Sequence, residues 1–178
     1  MIDESKANLK RLGLADQFEL ICADIFDESF CLPEKVDCVV LSYTLTCFIN
    51  KRESLVEILR QCSKQIKDDG YILITDFSYP NQPKEDWFFG MYTATQSGLP
   101  PRDFEEFQFF ISTAGEKAPF NIYHIPVDVM ASACVEAGFK TVTPKSQYPN
   151  PEFESHPVIR KYIDVVKMPD YLVKARLI

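Results

Sequence analysis

A few polar side chains that follow apolar runs are the ones best placed to do chemistry. Asp24 follows Phe18-Glu19-Leu20-Ile21-Cys22-Ala23, Ser42 and Tyr43 follow Val36 to Leu41 (VDCVVL), and Asp76 lies at the end of Tyr71 to Phe77 (YILITDF). Runs of this kind read as strands, and open α/β sheets bind ligands outside the carboxyl ends of their strands. Asp24 could accept a hydrogen bond from a ligand there; its plainer reading is a residue that starts a turn or caps a helix. Tyr43 could orient a ligand or stand as an amphipathic rim residue. Asp76 could line a site or serve as a turn or cap carboxylate. His124 lies near the end of a predicted strand, just before Pro126. An imidazole titrates near neutrality and could take a proton from a hydroxyl or amine, although a lone histidine is more often a satisfied structural group.

The six cysteines, Cys22, Cys31, Cys38, Cys47, Cys62 and Cys134, form no C-x-x-C pair, and His124 and His156 are the only histidines. No metal site is expected from that set. Most of the thiols fall in apolar runs, where cysteine acts as a small hydrophobe. Together with the lack of a signal-peptide pattern, this predicts a reducing, cytoplasmic setting. At 178 residues, 46% apolar and 25% charged, the chain can bury the core of a single domain, 1–178. A net charge of −7 disfavours a nucleic-acid partner, and no apolar run is long enough for a membrane span.

The elements that would position these groups can be read in order. Ile2 to Leu12 predicts a helix, with Gly13 at its left-handed cap. Phe18 to Ala23 predicts a strand. Val36 to Leu41 predicts a second, its near-continuous apolar run implying burial on both faces. Asn50 and Glu53 fit an N-x-x-E capping box, followed by a stripe of Leu55, Ile58, Leu59, Cys62 and Ile66 on one helix face. Asp69-Gly70 should stop this helix, and Tyr71 to Phe77 is the next strand. Strand, helix and strand with short turns predict a parallel crossover.

Residues Ser78 to Asp103 read as irregular, with Trp87, Phe88, Phe89, Met91 and Tyr92 clustered there. Phe107 to Ser112 and Phe120 to Ile125 read as a hairpin joined by Thr113 to Pro119. Pro126 opens a helix to Ala137, with Val127, Met130, Ala131 and Cys134 inward and Gly138 as its cap. A strand at Phe139 to Thr143, a loop at Tyr148-Pro149-Asn150-Pro151, a helix from His156 to Tyr162 and a closing strand at Tyr171 to Ile178 complete the order.

This order, with Asp68-Asp69-Gly70-Tyr71-Ile72-Leu73-Ile74 at one junction and Glu136-Ala137-Gly138-Phe139 at another, resembles the class I S-adenosylmethionine-dependent methyltransferases. The resemblance covers nearly the whole chain apart from Ser78 to Ile125. It implies an α/β, Rossmann-like sheet, in the family ordered 3-2-1-4-5-7-6 with strand 7 antiparallel. Phe18 to Ala23 would be strand 3, Val36 to Leu41 strand 4, Tyr71 to Phe77 strand 5, Phe139 to Thr143 strand 6 and Tyr171 to Ile178 strand 7. It implies S-adenosylmethionine as cofactor, with Asp24 accepting from the adenine amine, the Ile25 N–H meeting adenine N1, and Ile25 or Phe26 packing on the ring. Ser42 and Tyr43 would lie under the reactive methyl group. The family places acceptor-binding elements in the region of 78–125, and Trp87, Phe88, Phe89, Tyr92, Phe107, Phe109 and Phe110 would suit an apolar or planar small acceptor, although each reads more simply as part of the insert's own core.

The family's G-x-G-x-G loop and the acidic residue ending its strand 2 find no counterpart among the six glycines and their neighbours. The expectation is a chain truncated at its N-terminus, without strands 1 and 2, and with strand 4 as an exposed edge prone to self-association. Two functions follow: methyl transfer to a small-molecule acceptor, or a non-catalytic fragment acting as a binding or dimerisation module.

Overall fold

The computed structural model describes residues 2–27, 29–77, 90–92, 101–113, 116–147 and 170–177. They fall into two compact units, Met1–Leu32 and Pro33–Ile178.

The first unit opens with α1 (Ile2–Arg11), acidic in its first turn and basic in its last, as the helix dipole favours. Gly13 ends it at φ +70. The Leu14 N–H reaches the Leu9 carbonyl and the Gly13 N–H the Lys10 carbonyl, which is the paired bonding of a Schellman cap. A short 3-10 turn follows at Ala15–Gln17. The strand expected at Phe18 to Ala23 does not form. Phe18 is extended at φ −132 and ψ 134, but among the described residues no neighbour builds a ladder with the segment, and a strand needs one to satisfy its backbone groups. None of this unit's described residues is buried, so no core compensates.

The second unit contains a mixed four-stranded sheet in the order β1-β2-β7-β6, from β1 (Val36–Ser42), β2 (Ile66–Phe77), β6 (Thr141–Gln147) and β7 (Asp170–Arg176). β1 and β2 are parallel, and β7 runs antiparallel to both β2 and β6. This is the 4-5-7-6 portion of the implied order. Strand 6 begins later than expected because Phe139 belongs to the preceding cap instead.

The α2 helix (Arg52–Gln65) crosses from β1 to β2. Its stripe is as expected, with Leu55, Ile58, Leu59, Cys62 and the following Ile66 all buried. The cap differs: Lys51 holds the N-cap position with no side-chain bond, so the Asn50 capping box is not made. The helix also ends earlier, at Gln65. Val36 pairs with Ile66 and Cys38 with Tyr71, so β2 joins the ladder at Ile66 and bulges over Lys67 to Gly70. Gly70 is needed there. A Cβ would lie 2.5 Å from Ile66 Cγ2 and 2.7 Å from the Asp37 carbonyl oxygen.

Leu41, Ile72, Ile74, Val173 and Ala175 are buried, the alternate residues of β1, β2 and β7. On the opposite face Val40 is 62% exposed and Leu73 is half-buried. The expectation of two-sided burial for β1 is therefore corrected: of its residues only Leu41 is buried, because α2 covers one face. The α3 helix (Val127–Glu136) packs on β6, β7 and α2. Its inward residues are Val129, Met130, Ala133 and Cys134, whereas Val127 and Ala131 are half-buried. Gly138, at φ +104, closes it with a second Schellman cap that sends Phe139 into the core. Arg52 ties the helices together through Ser132 and a 3.2 Å ion pair to Glu136.

A second sheet, in the order β3-β4-β5, is built from β3 (Gly90–Tyr92), β4 (Glu106–Thr113) and β5 (Glu116–Tyr123). The hairpin is tighter than expected, with Thr113 opposite Glu116, because the residues assigned to its loop join the ladder. Part of the stretch read as irregular, residues 90–92, pairs with β4. Pro119 and Pro144, which lack an N–H, lie on β5 and β6, strands paired on one side only among the described residues, where proline is tolerated. The expected helix from His156 to Tyr162, the loop at residues 148–151 and Trp87, Phe88 and Phe89 lie outside the described residues.

Two predictions follow from this packing. Gly70→Ala should destabilise the chain by ~1–3 kcal/mol in denaturant melts, because the methyl group would meet the Asp37 carbonyl as well as the buried Ile66 side chain, and the carbonyl cannot swing away. Burial pushes the Cys62 thiol from 9.0 up to about 11, and burial with Cys62 nearby pushes the Cys134 thiol up to about 12. Between these limits the unfolded chain releases protons that the folded chain retains. Stability is therefore full below pH 9.0 and falls as pH rises toward about 11, by roughly 1 kcal/mol per thiol near pH 10. Urea melts across that range should show the fall, and a shallower one in Cys134→Ala.

Candidate functional site

β1 and β2 end side by side, with Ser42 opposite Thr75. The parallel pair thus presents two carboxyl ends at one sheet edge, where ligands bind in open α/β sheets. One further ladder bond follows, from the Tyr43 N–H to the Thr75 carbonyl at 2.7 Å. The chain then breaks direction. Tyr43 adopts φ +50, a left-handed conformation that costs a non-glycine residue about 1–2 kcal/mol. Its side chain is 40% exposed.

A 3-10 turn at Leu45–Cys47 comes next. Thr44 occupies its N-cap but does not cap it with its side chain; the Thr44 hydroxyl donates back to the Ser42 carbonyl at 2.8 Å. The cap comes from Asp76 on β2, thirty residues away. Asp76 Oδ2 accepts the Thr46 N–H at 3.1 Å and Oδ1 accepts the Thr46 hydroxyl. Both residues are fully buried. Hydrogen bonding of this kind is what allows a carboxylate to sit inside. Cys47 Sγ donates to the Tyr43 carbonyl at 3.4 Å. Burial, and secondarily the charge of Asp76, push the Cys47 thiol up, which keeps it a protonated donor. Thr75 Oγ1 donates to Ser42 Oγ at 3.3 Å.

β5 packs against this 3-10 turn, and His124 follows β5. His124 Nδ1 lies 2.8 Å from the Pro101 carbonyl. A carbonyl only accepts, so Nδ1 carries the hydrogen. The His124 carbonyl accepts the Phe104 N–H and its N–H donates to Glu105. One residue thereby holds the segment 101–105, in which Phe104 takes φ +61. The histidine has the structural engagement that a lone histidine usually has.

Asp24, Ile25 and Phe26 belong to the first unit. Asp24 starts a turn: its Oδ1 accepts the Phe26 N–H at 2.9 Å and its carbonyl accepts the Asp27 N–H. Asp24 is exposed, and the Phe26 side chain is 41% exposed. The structure thus brings Ser42, Tyr43 and Asp76 together with the 3-10 turn, and places Asp24 to Phe26 in the other unit. Reading the sequence missed Thr46 and Cys47; a cap donated from thirty residues away leaves no local signal. Among the described residues no group of three or more His, Cys, Asp or Glu could hold a metal, and no helix is long and apolar enough to cross a membrane.

No protein-family model matches the sequence, and no curated protein matches it. Its fold is found among solved structures. A S-adenosylmethionine-dependent methyltransferase from Clostridium acetobutylicum matches at TM-score 0.58 and 13% identity, covering 99% of this chain and 70% of its own. The S-adenosylmethionine-dependent methyltransferase SibL matches at TM-score 0.60 and 16% identity, covering 98% of this chain and 40% of its own. The glycopeptide N-methyltransferase MtfA, solved with S-adenosylhomocysteine, matches at TM-score 0.60 and 15% identity, covering 100% of this chain and 70% of its own. The chain has a class I methyltransferase-like α/β fold with a mixed sheet.

The left-handed backbone of Tyr43 yields a direct prediction. At an ordinary strand position tyrosine to glycine costs stability; Tyr43→Gly should leave the urea midpoint level or raise it, because relief of strain of about 1 kcal/mol offsets the lost ring contacts.

Proposed function

We propose that this protein transfers a methyl group from S-adenosylmethionine to a small-molecule acceptor. The observation that carries the reading is the strained Tyr43 at the joint carboxyl ends of β1 and β2, in a fold shared with solved methyltransferases. Strain of this sort concentrates at ligand sites. When bound, S-adenosylmethionine supplies an electrophilic methyl group on a sulfonium.

In this reading Asp24 accepts from the adenine amine, the Ile25 N–H meets adenine N1, and Ile25 or Phe26 packs on the ring. Ser42 and Tyr43 orient the methyl-bearing end. Residues 78–125 form an insert on the acceptor side of one domain. In-line positioning supplies much of the rate of a reaction like this, so a general base is optional. Where the acceptor needs one, His124 is the candidate: with Nδ1 as donor to Pro101, Nε2 is the ring nitrogen that takes a proton.

Calorimetric titration with S-adenosylhomocysteine tests the proposal. Saturable binding is expected, weakened about tenfold or more in Asp24→Ala, since hydrogen bonds to a charged group contribute ~1.5–3 kcal/mol. A native chain that does not bind at millimolar ligand would sink the reading.

One observation favours the second reading, a binding or dimerisation module. Among the described residues β1 pairs only with β2, and Val40 on it is 62% exposed. An open strand edge is a template for pairing. Self-association through β1 would show in sedimentation as a concentration-dependent dimer, weakened by Val40→Lys; a stable monomer at all concentrations would rule it out.

A further inference from the structure

We propose that Asp76 is a positioning residue: its clamp on Thr46 holds Tyr43 in the left-handed conformation that shapes the ligand-facing end of β1. What is positioned rests on the methyl-transfer reading; the clamp does not.

Two consecutive residues of β2 grip the segment Tyr43 to Thr46 at both ends. The Thr75 carbonyl accepts the Tyr43 N–H, and the Asp76 carboxylate accepts both donors of Thr46. One residue beyond Thr46, the Cys47 thiol closes back onto the Tyr43 carbonyl. A non-glycine residue stays in a left-handed conformation only when its surroundings over-determine it. The carboxylate is the strongest acceptor in the set, and it is fully buried, where hydrogen bonds gain strength. It also supplies what the 3-10 turn lacks, since Thr44 gives no side-chain cap. Asp76 acts through Thr46 and Tyr43, without touching ligand itself.

The half-buried Cys47 thiol reports on the clamp. In the native chain it is tied to Tyr43 and kept protonated by its surroundings, so it should alkylate slowly. Thr46→Val removes one donor with little change of shape. Asp76→Ala removes both acceptors. Asp76→Asn restores the geometry without charge, its Oδ1 accepting the Thr46 N–H and its Nδ2 donating to the Thr46 hydroxyl.

Alkylation of the folded chain, followed residue by residue by peptide mass mapping, is the test, with the buried Cys62 and Cys134 as internal controls. Cys47 should label about tenfold faster in Thr46→Val and faster still in Asp76→Ala, as expected for loss of a buried hydrogen bond. Asp76→Asn should label more slowly than Asp76→Ala, although loss of the charge that helps keep the Cys47 thiol protonated leaves it somewhat faster than native, and the two control thiols should stay protected throughout. Unchanged Cys47 labelling in both Thr46→Val and Asp76→Ala would overturn the clamp. So would acceleration of Cys62 and Cys134 in step with Cys47, because the effect would then be global. S-adenosylhomocysteine affinity should fall about tenfold in Thr46→Val and recover in Asp76→Asn. Selective labelling with unaltered affinity would overturn the positioning role. Failure of the native chain to bind that ligand would sink the methyl-transfer reading, while the labelling still judges the clamp.

Discussion

Ser42 and Thr75 face each other because α2 must carry the chain from β1 to β2 with its apolar stripe against the sheet. Leu55, Ile58, Leu59 and Cys62 lie on the side where Leu41, Ile72 and Ile74 are buried. A slip of one residue in the pairing would turn those strand residues to the other face. Gly70 lets β2 bulge against the Asp37 backbone before the main register begins. From that register, Thr75 and Asp76 arrive at the same level as the end of β1, one offering a backbone carbonyl and the other a side chain. The cap on the 3-10 turn and the conformation of Tyr43 are consequences of the sheet's alignment.

Much of this could be read from the residues. The stripe of α2, the two terminal glycines at 13 and 138, and the parallel pair β1 and β2 follow local rules of periodicity and capping and are found near where they are expected, with β2 starting earlier, at Ile66. The exceptions share a cause. Phe18 to Ala23 carries strand chemistry, yet a strand is a relation between segments, and no partner among the described residues supplies it. The run Val36 to Leu41 looks suited to burial on both sides, but its apolar character does not create the second layer. Asp76 read equally well as a site residue and as a cap. The structure decides for the cap, through a partner in Thr46 that sequence distance conceals.

The two sheets solve their edge problem in related ways. β5 and β6, each paired on one side only among the described residues, carry Pro119 and Pro144, which lack an N–H. β1 carries no such device along Val36 to Ser42, and it is also the strand whose end bears Tyr43. The feature that leaves β1 unpaired on one side among the described residues therefore lies beside the strained residue at its end. The two proposed functions, methyl transfer and partner binding, would draw on the same element.

β7 is the last strand among the described residues and lies between β2 and β6. During synthesis the crossover from β1 through α2 to β2 can close as soon as it leaves the ribosome. β6 cannot: its neighbour in the sheet, residues 170–176, has not yet been made. Until then α3 has only part of the surface it finally covers, and β2 keeps a bare flank. The nascent chain must hold an unfinished sheet until β7 arrives, so a ribosome stalled before residue 170 would leave a half-sheet with β2 exposed to any passing strand.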